Sequence, residues 1–203
     1  MFAVSDQKRQ TNLVIVSEGP ASGNNGGKDD DIEANKSILS GVTAEGNTAL
    51  HVVAAACGQS DNFLKSARII HEKDKDLLFA QNSNGDTPLH CAAQAGKYDM
   101  VICLIHLAFD EGGEGKMKAL LRKEKKDKET ALLEAVRIGN NHIVDLLMDK
   151  DSELASIPED GGTSPMYLAI MLEQDEIMKT LYDKTSHGKL SFSGPNGQNA
   201  LHG

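Results

Sequence analysis

The sequence predicts an all-α solenoid of stacked helix-turn-helix units with short hairpin turns, preceded by a disordered N-terminal tail. Three observations lead there. A short motif recurs from residue 45 onward, beginning at 46, 85, 128, 162 and 197, at spacings of 39, 43, 34 and 35 residues. Self-similarity at this period marks repeat architectures. After each of the first four copies, apolar residues recur at helical rather than strand spacing. Aromatic residues make up only 4% of the chain and Trp is absent, so the core must be Ala, Leu, Ile, Val and Met. That composition suits closely packed helices.

Residues 1–40 read as the tail. Glu18 to Asp31, EGPASGNNGGKDDD, is too rich in Gly, Asn and Asp to bury enough apolar surface to offset its ordering entropy. The apolar run Leu13-Val14-Ile15-Val16 within it reads as a chance run rather than an element. The repeats occupy 41–193, divided at about 45–83, 84–126, 127–160 and 161–195. Residues 196–203 read as the start of a fifth copy.

The motif copies are Gly46-Asn47-Thr48-Ala49-Leu50-His51, Gly85-Asp86-Thr87-Pro88-Leu89-His90, Lys128-Glu129-Thr130-Ala131-Leu132-Leu133, Gly162-Thr163-Ser164-Pro165-Met166-Tyr167 and Gly197-Gln198-Asn199-Ala200-Leu201-His202. Thr48, Thr87, Thr130 and Ser164 are placed to cap a helix, with Ala or Pro at its first position. Two of these helices stop at a Gly, Gly96 and Gly139, the common residue just past a helix C-terminus. Small residues such as Ala92, Ala93, Ala135 and Ala169 let neighbouring helices approach. A second helix follows each first one, as FLKSARII, YDMVICLIHLAF, NHIVDLLMDK and DEIMKTLYDK. Ile143, Val144, Leu146, Leu147 and Met148 give the third of these one broad apolar face.

The motifs, the Gly two residues before the Thr and the helix-turn-helix plan resemble ankyrin repeats of about 33 residues. The resemblance covers about three-quarters of the chain. It implies that Gly46, Gly85, Gly162 and Gly197 take positive φ in the hairpin turns, where Gly is at home. It also implies that the motif histidines hydrogen-bond to the adjacent turn and staple one repeat to the next. Lys128 replaces Gly in the third copy, where strain of about 1 kcal/mol is expected. In the fourth repeat Ser164 replaces Thr, Tyr167 replaces His and Glu173 replaces the turn Gly. That end is therefore expected to be the weakest, with an apolar face open to fraying or self-association.

GNTALHVVA, NGDTPLHCAAQAGKYDMVICLI, ETALLEAVRIGNNHIVDLL and LSFSGPNGQNALH are more narrowly similar to plant ankyrin proteins of the accelerated-cell-death type. Those proteins act in defence and stress signalling and carry a membrane domain of hydrophobic spans, the PGG domain. The longest apolar run here, Met100 to Phe109, has 10 residues, about half the ~20 a membrane helix needs. The resemblance thus implies a membrane-associated full-length protein with its ankyrin part on the cytoplasmic side, of which this chain is an N-terminal piece or a truncated form. The alternative is the regulatory ankyrin segment of a larger enzyme or ion channel.

Function follows by exclusion and analogy. The net charge of −9 and pI near 5.2 disfavour nucleic acid and anionic lipid as partners. MFAVSDQKRQ lacks the apolar core of a signal peptide, and Cys57, Cys91 and Cys103 are an odd number at no metal-like spacing. A soluble, cytoplasmic chain is the expectation. No nucleophile elbow, phosphate loop or CxxC pair is present, so no catalytic, cofactor or metal site is expected. His51, His90 and His202 lie in successive repeats about 10 Å apart, too far to share one metal, and His142 falls at a turn. Cys91 and Cys103 read as buried small hydrophobes.

What remains is a protein-binding scaffold. Repeat arrays bind through a concave surface, whose tips here are Glu45, Asn47, Asn84, Asp86, Glu129, Glu159, Asp160 and Gln198. The insert from Asp110 to Lys128 is the most individual feature. Gly112-Gly113-Glu114-Gly115 reads as flexible, and 116–129 carries seven bases and three acids. A solvated helix end is the plain reading and an acidic-partner docking patch the sharper one.

Overall fold

The structure, a computed structural model, describes residues 41–56, 61–157, 162–185, 190–195 and 198–199. The 1–40 tail therefore lies outside the described residues, as do Cys57, Glu159, Asp160, Gly197 and His202. Eight α-helices are described, α1 (Ala49–Ala55), α2 (Asp61–Lys73), α3 (Pro88–Gln94), α4 (Tyr98–Leu121), α5 (Ala131–Arg137), α6 (Asn141–Lys150), α7 (Pro165–Met171) and α8 (Asp175–Lys184). Short 3-10 turns at Lys75–Leu78 and Ser152–Ser156 follow α2 and α6. The extended pairing among the described residues is one isolated bridge, Ser193 to Asn199.

The helices form two rows. α1, α3, α5 and α7 stack as an inner row, and α2, α4, α6 and α8 as an outer row. Each inner helix is seven residues long, too short to be stable alone in water. Its stability comes from neighbours. Leu50, Leu89, Leu132 and Ala54, Ala93, Ala135 are buried between the rows and belong to one continuous core. Alanine at the close-approach positions lets successive inner helices touch, as their sequence suggests.

The turns follow one hydrogen-bond plan. Thr43 N–H donates to Asn47 O and Gly46 N–H to Thr43 O. The same pattern recurs at 82–86 and 125–129. Its fourth position needs a left-handed backbone: Gly46 has φ 76°, Gly85 φ 86°, and Lys128 φ 60°. Lys128 thus adopts the conformation the repeat imposes even without glycine. Glu173 does the same after α7, with φ 54° where Gly96 has 67° and Gly139 71°.

The insert departs from the expectation of a flexible segment. α4 runs 24 residues, with non-helical backbone only at Gly112 and Gly113. Beyond that kink the chain is helical again, because Met117, Leu120 and Leu121 fall on one face and are buried. Among the described residues, no helix is long and apolar enough to cross a membrane.

Candidate functional site

The tips and the inner helices are where a partner would be met, and the side chains there divide into those occupied within the fold and those facing solvent. His51 is buried between them. Its Nε2 lies 2.8 Å from the Asp86 carbonyl oxygen in the next turn. A carbonyl can only accept, so Nε2 carries the proton and Nδ1 is the acceptor. Nδ1 receives the Thr48 backbone N–H at 3.2 Å and the Thr48 hydroxyl at 2.8 Å. His90 repeats the arrangement, with Thr87 on Nδ1 and the Glu129 carbonyl 3.2 Å from Nε2. Burial lowers the pKa of both histidines below the usual 6.5, against the smaller opposing pull of the carbonyls and of Asp86. They are structural and neutral near pH 7.

A second tie joins the turns directly. Ser83 N–H donates to Glu45 O, and Lys126 N–H to Asn84 O. Asn82 lies at the centre. Its Oδ1 accepts from the Asn84 and Asp86 amides, and its Nδ2 donates to Asn47 Oδ1 at 2.8 Å. Gln81 adds bonds to the Gly85 and Glu124 carbonyls. Of the candidate tip residues, Asn47 and Asp86 are therefore half-buried and engaged with Asn82, while Glu45 is bonded to Thr43 at 2.8 Å. Gly85 is packed so closely that a Cβ would lie 2.7 Å from Lys126 N.

The third repeat has no histidine at the motif position, and its chemistry changes accordingly. Leu133 fills the histidine position and is fully buried. The Thr130 hydroxyl, also buried, finds no hydrogen-bond partner. An ionic cluster sits beside it. Lys125 reaches Glu129 at 2.9 Å and Glu134 at 2.7 Å, and Arg137 reaches the same two carboxylates at 2.6 and 2.9 Å. Burial pushes the Glu129 carboxyl up, but Arg137 and Lys125 outweigh it and hold it below the usual range. Glu129, a candidate contact, is thus neutralised within the fold.

In the fourth repeat Ser164 keeps the cap, accepting the Tyr167 amide at 3.2 Å. It also donates to Ser191 O at 2.8 Å, and its amide bonds Ser193 O. Tyr167 reaches the fifth turn by its hydroxyl, 2.7 Å from Gln198 Oε1. Its ring fills the space over Gly194, where a Cβ would lie 2.4 Å away. Leu190 and Phe192 pack against the core, so the fifth turn covers part of the fourth repeat. Gly162 is half-buried ahead of Ser164.

The geometry and the repeat plan together match a known family. The family model "Ankyrin repeats (3 copies)" matches residues 23–112 and 105–192. The chain belongs to the ankyrin-repeat family. The first match begins ahead of the first Thr motif, in residues that the structure does not describe. A search of the curated proteins finds no match. Ankyrin repeats generally mediate protein–protein interaction and are typically non-catalytic modules.

In this ankyrin array one position of each inner helix is exposed, Ala55, Gln94, Arg137 and Met171, on the row that repeat arrays of this kind use for binding. The adjoining Ile138 and Leu172 are 41% and 43% exposed, so the strip grows more apolar toward the C-terminal repeats. The residues named from the sequence lie on the tips, and none lies on this strip. The signal was present as the least constrained position of each copy, seven residues after the cap. The Glu134–Arg137 pair was also visible, as opposite charges three apart on a helix, but its partners Lys125 and Glu129 were not.

The remaining candidate groups are chemically quiet. Cys91 is half-buried, and burial with nearby Asp86 and Glu134 pushes its thiol up to about 12. Burial also raises Cys103, partly opposed by Arg68. Neither offers a thiolate at neutral pH. His142 is exposed in the first turn of α6, which Asn140 caps by accepting the Ile143 amide. Among the described residues, no group of three or more His, Cys, Asp or Glu could hold a metal ion.

The insert's bases are largely committed. Lys116 pairs with Glu111, Lys118 with Glu114 at 2.8 Å, and Arg122 with Asp151 and Glu153. With Lys125 in its cluster, four of the seven bases between 116 and 129 are answered internally. That weakens the segment as a broad docking patch and makes it a tie between repeats.

Proposed function

We propose that this chain is a docking scaffold whose partner protein lies along the concave strip, as the ankyrin part of a membrane-associated defence and stress-signalling protein of the accelerated-cell-death type. The strip of Gln94, Arg137, Ile138, Met171 and Leu172 carries the first half of that reading. These side chains are exposed, whereas the neighbouring tip residues Asn47, Asp86 and Glu129 are bonded within the fold. A fixed ladder of turns with exposed side chains beside it, Arg137 among them held by Glu129 and Glu134, suits recognition, since little ordering entropy is lost on binding. The narrower resemblance of GNTALHVVA and NGDTPLHCAAQAGKYDMVICLI supports the second half.

The test is affinity capture from a plant extract with the whole chain as bait. A protein captured by the wild type and lost with Gln94→Glu plus Met171→Glu, but retained with His106→Glu and Lys179→Glu on the outer helices, supports the concave site. Loss with the outer pair alone refutes it. Capture of only partners unrelated to defence signalling refutes the pathway and leaves the surface standing.

A further inference from the structure

The segment after the kink in α4 is the piece the repeat plan does not require, and the structure ties it down at both ends. At its start stands Glu111, whose side chain is only 5% exposed. His71 Nε2, on α2 of the first repeat, lies 2.7 Å from Glu111 Oε1, and Lys116 pairs with the other oxygen. The Lys116 ammonium also sits 5.7 Å from the centre of the Phe79 ring. At the far end, Arg122 Nη2 lies 2.9 Å from Asp151 Oδ1 and 2.7 Å from Glu153 Oε2. Between the ties, Met117, Leu120 and Leu121 face the core.

The backbone between Glu111 and Glu114 is built differently from a packed helix. Gly113 has φ 64° and ψ −155°, a region occupied essentially by glycine alone. A Cβ at Gly113 or Gly115 would meet nothing within 4 Å, so packing does not call for glycine at either place. At Gly113 the backbone conformation calls for it. At Gly115 neither does, and glycine there weakens the helix. The segment is thus easily bent at its root and marginal in its own helicity, and its position rests on the ties together with the burial of Met117, Leu120 and Leu121.

We propose that residues 114–122 are a hinged strap that opens as a unit about Gly112–Gly113, with Glu111 as the clasp that holds it shut. Opening breaks the pair of Lys116 with Glu111 and the contacts of Arg122, and uncovers Met117, Leu120 and Leu121. It leaves the helix pairs of the array in place. Such local opening lies below global unfolding in free energy, and a few residues at an element's end absorb the change in backbone angles.

Hydrogen exchange of the whole chain, read by mass spectrometry, tests this. In the wild type, amides of 114–121 are expected to exchange faster than those of 98–108. Glu111→Gln, which leaves Lys116 without its counter-charge and His71 facing an amide, is expected to accelerate 114–121 about tenfold while 98–108 and 131–148 stay unchanged. Lys116→Met, keeping the stem over Phe79, gives the same pattern more weakly and serves if Glu111→Gln does not fold. Gly115→Ala slows strap exchange about fivefold through helix propensity. Equal exchange of 114–121 and 98–108 in the wild type overturns the proposal. So does acceleration of both segments alike by the clasp variants, or a strap rate that Gly115→Ala leaves unaltered.

Discussion

His51 Nε2 stands 2.8 Å from the carbonyl oxygen of Asp86, 35 residues away, so one buried imidazole joins the cap of the first inner helix to the turn that opens the second repeat. Removing it strands the Thr48 amide and the Thr48 hydroxyl, and leaves the Asp86 carbonyl with the Asn82 amide alone. Because an unpaired buried polar group costs about 1–3 kcal/mol, His51→Ala is expected to destabilise the array by about 3 kcal/mol. Urea unfolding followed by circular dichroism measures it, and a cost near zero would remove the staple from the energetics.

The staple has a definite pH dependence. Both His51 and His90 have folded pKa values below 6.5, so the unfolded chain binds protons more readily. Stability from the neutral imidazoles is fully present above pH 6.5 and is lost as pH falls through the lowered folded values. The urea midpoint is expected to drop between pH 7.5 and 5.5, a window in which carboxylates stay ionised. In His90→Gln that drop should shrink, and an unchanged drop would assign it to other groups.

The third repeat offers the opposite case. Thr87 bonds His90 Nδ1 at 2.9 Å, whereas the Thr130 hydroxyl is buried with no partner. Thr87→Val is expected to cost ~1.5 kcal/mol, and Thr130→Val to be neutral or to stabilise by ~0.5 kcal/mol, since it removes a desolvated hydroxyl that gains nothing. Paired denaturation curves decide the sign at each site.

Backbone strain should be releasable where glycine is missing. Lys128 holds φ 60° in a turn whose counterparts are Gly46 and Gly85. Lys128→Gly is expected to stabilise by ~1 kcal/mol. Gly85→Ala should cost ~2 kcal/mol or more, because φ 86° is strained for alanine and its Cβ would press on Lys126 N. Equal effects of the two substitutions would contradict the common turn geometry.

Glu134 is buried beside Lys125 and Arg137. Glu134→Ala leaves both cations short of a partner, and breaking such a buried pair is expected to cost ~3 kcal/mol. Glu114→Ala, which removes an exposed pair with Lys118, should cost far less. Thermal melts of the two variants at low and high salt test the ranking, with the Glu134 effect the less sensitive to salt.

The rows of helices were legible because each is specified locally. A Thr or Ser cap, an Ala or Pro after it, and apolar residues three and four apart all act within about ten residues. Copying that pattern at a near-constant period names the architecture without a single contact being known. The Gly-rich start of the insert was misread for the same reason. Gly112-Gly113-Glu114-Gly115 signals a break, and the spacing of Met117, Leu120 and Leu121 beyond it could not outweigh that signal in isolation. Burial against the core did.

By itself, then, the amino-acid order determined the helical pairs, their caps and the turn that demands a left-handed residue, since propensity and periodicity are short-range. Tertiary structure alone decided which polar groups meet. Asn82 and Asn47 are 35 residues apart, Lys125 turns toward Glu134, Arg122 crosses to Asp151, and the Thr130 hydroxyl is left without a hydrogen bond. Those pairings depend on how one repeat is rotated onto the next, and no spacing within a single copy carries that angle.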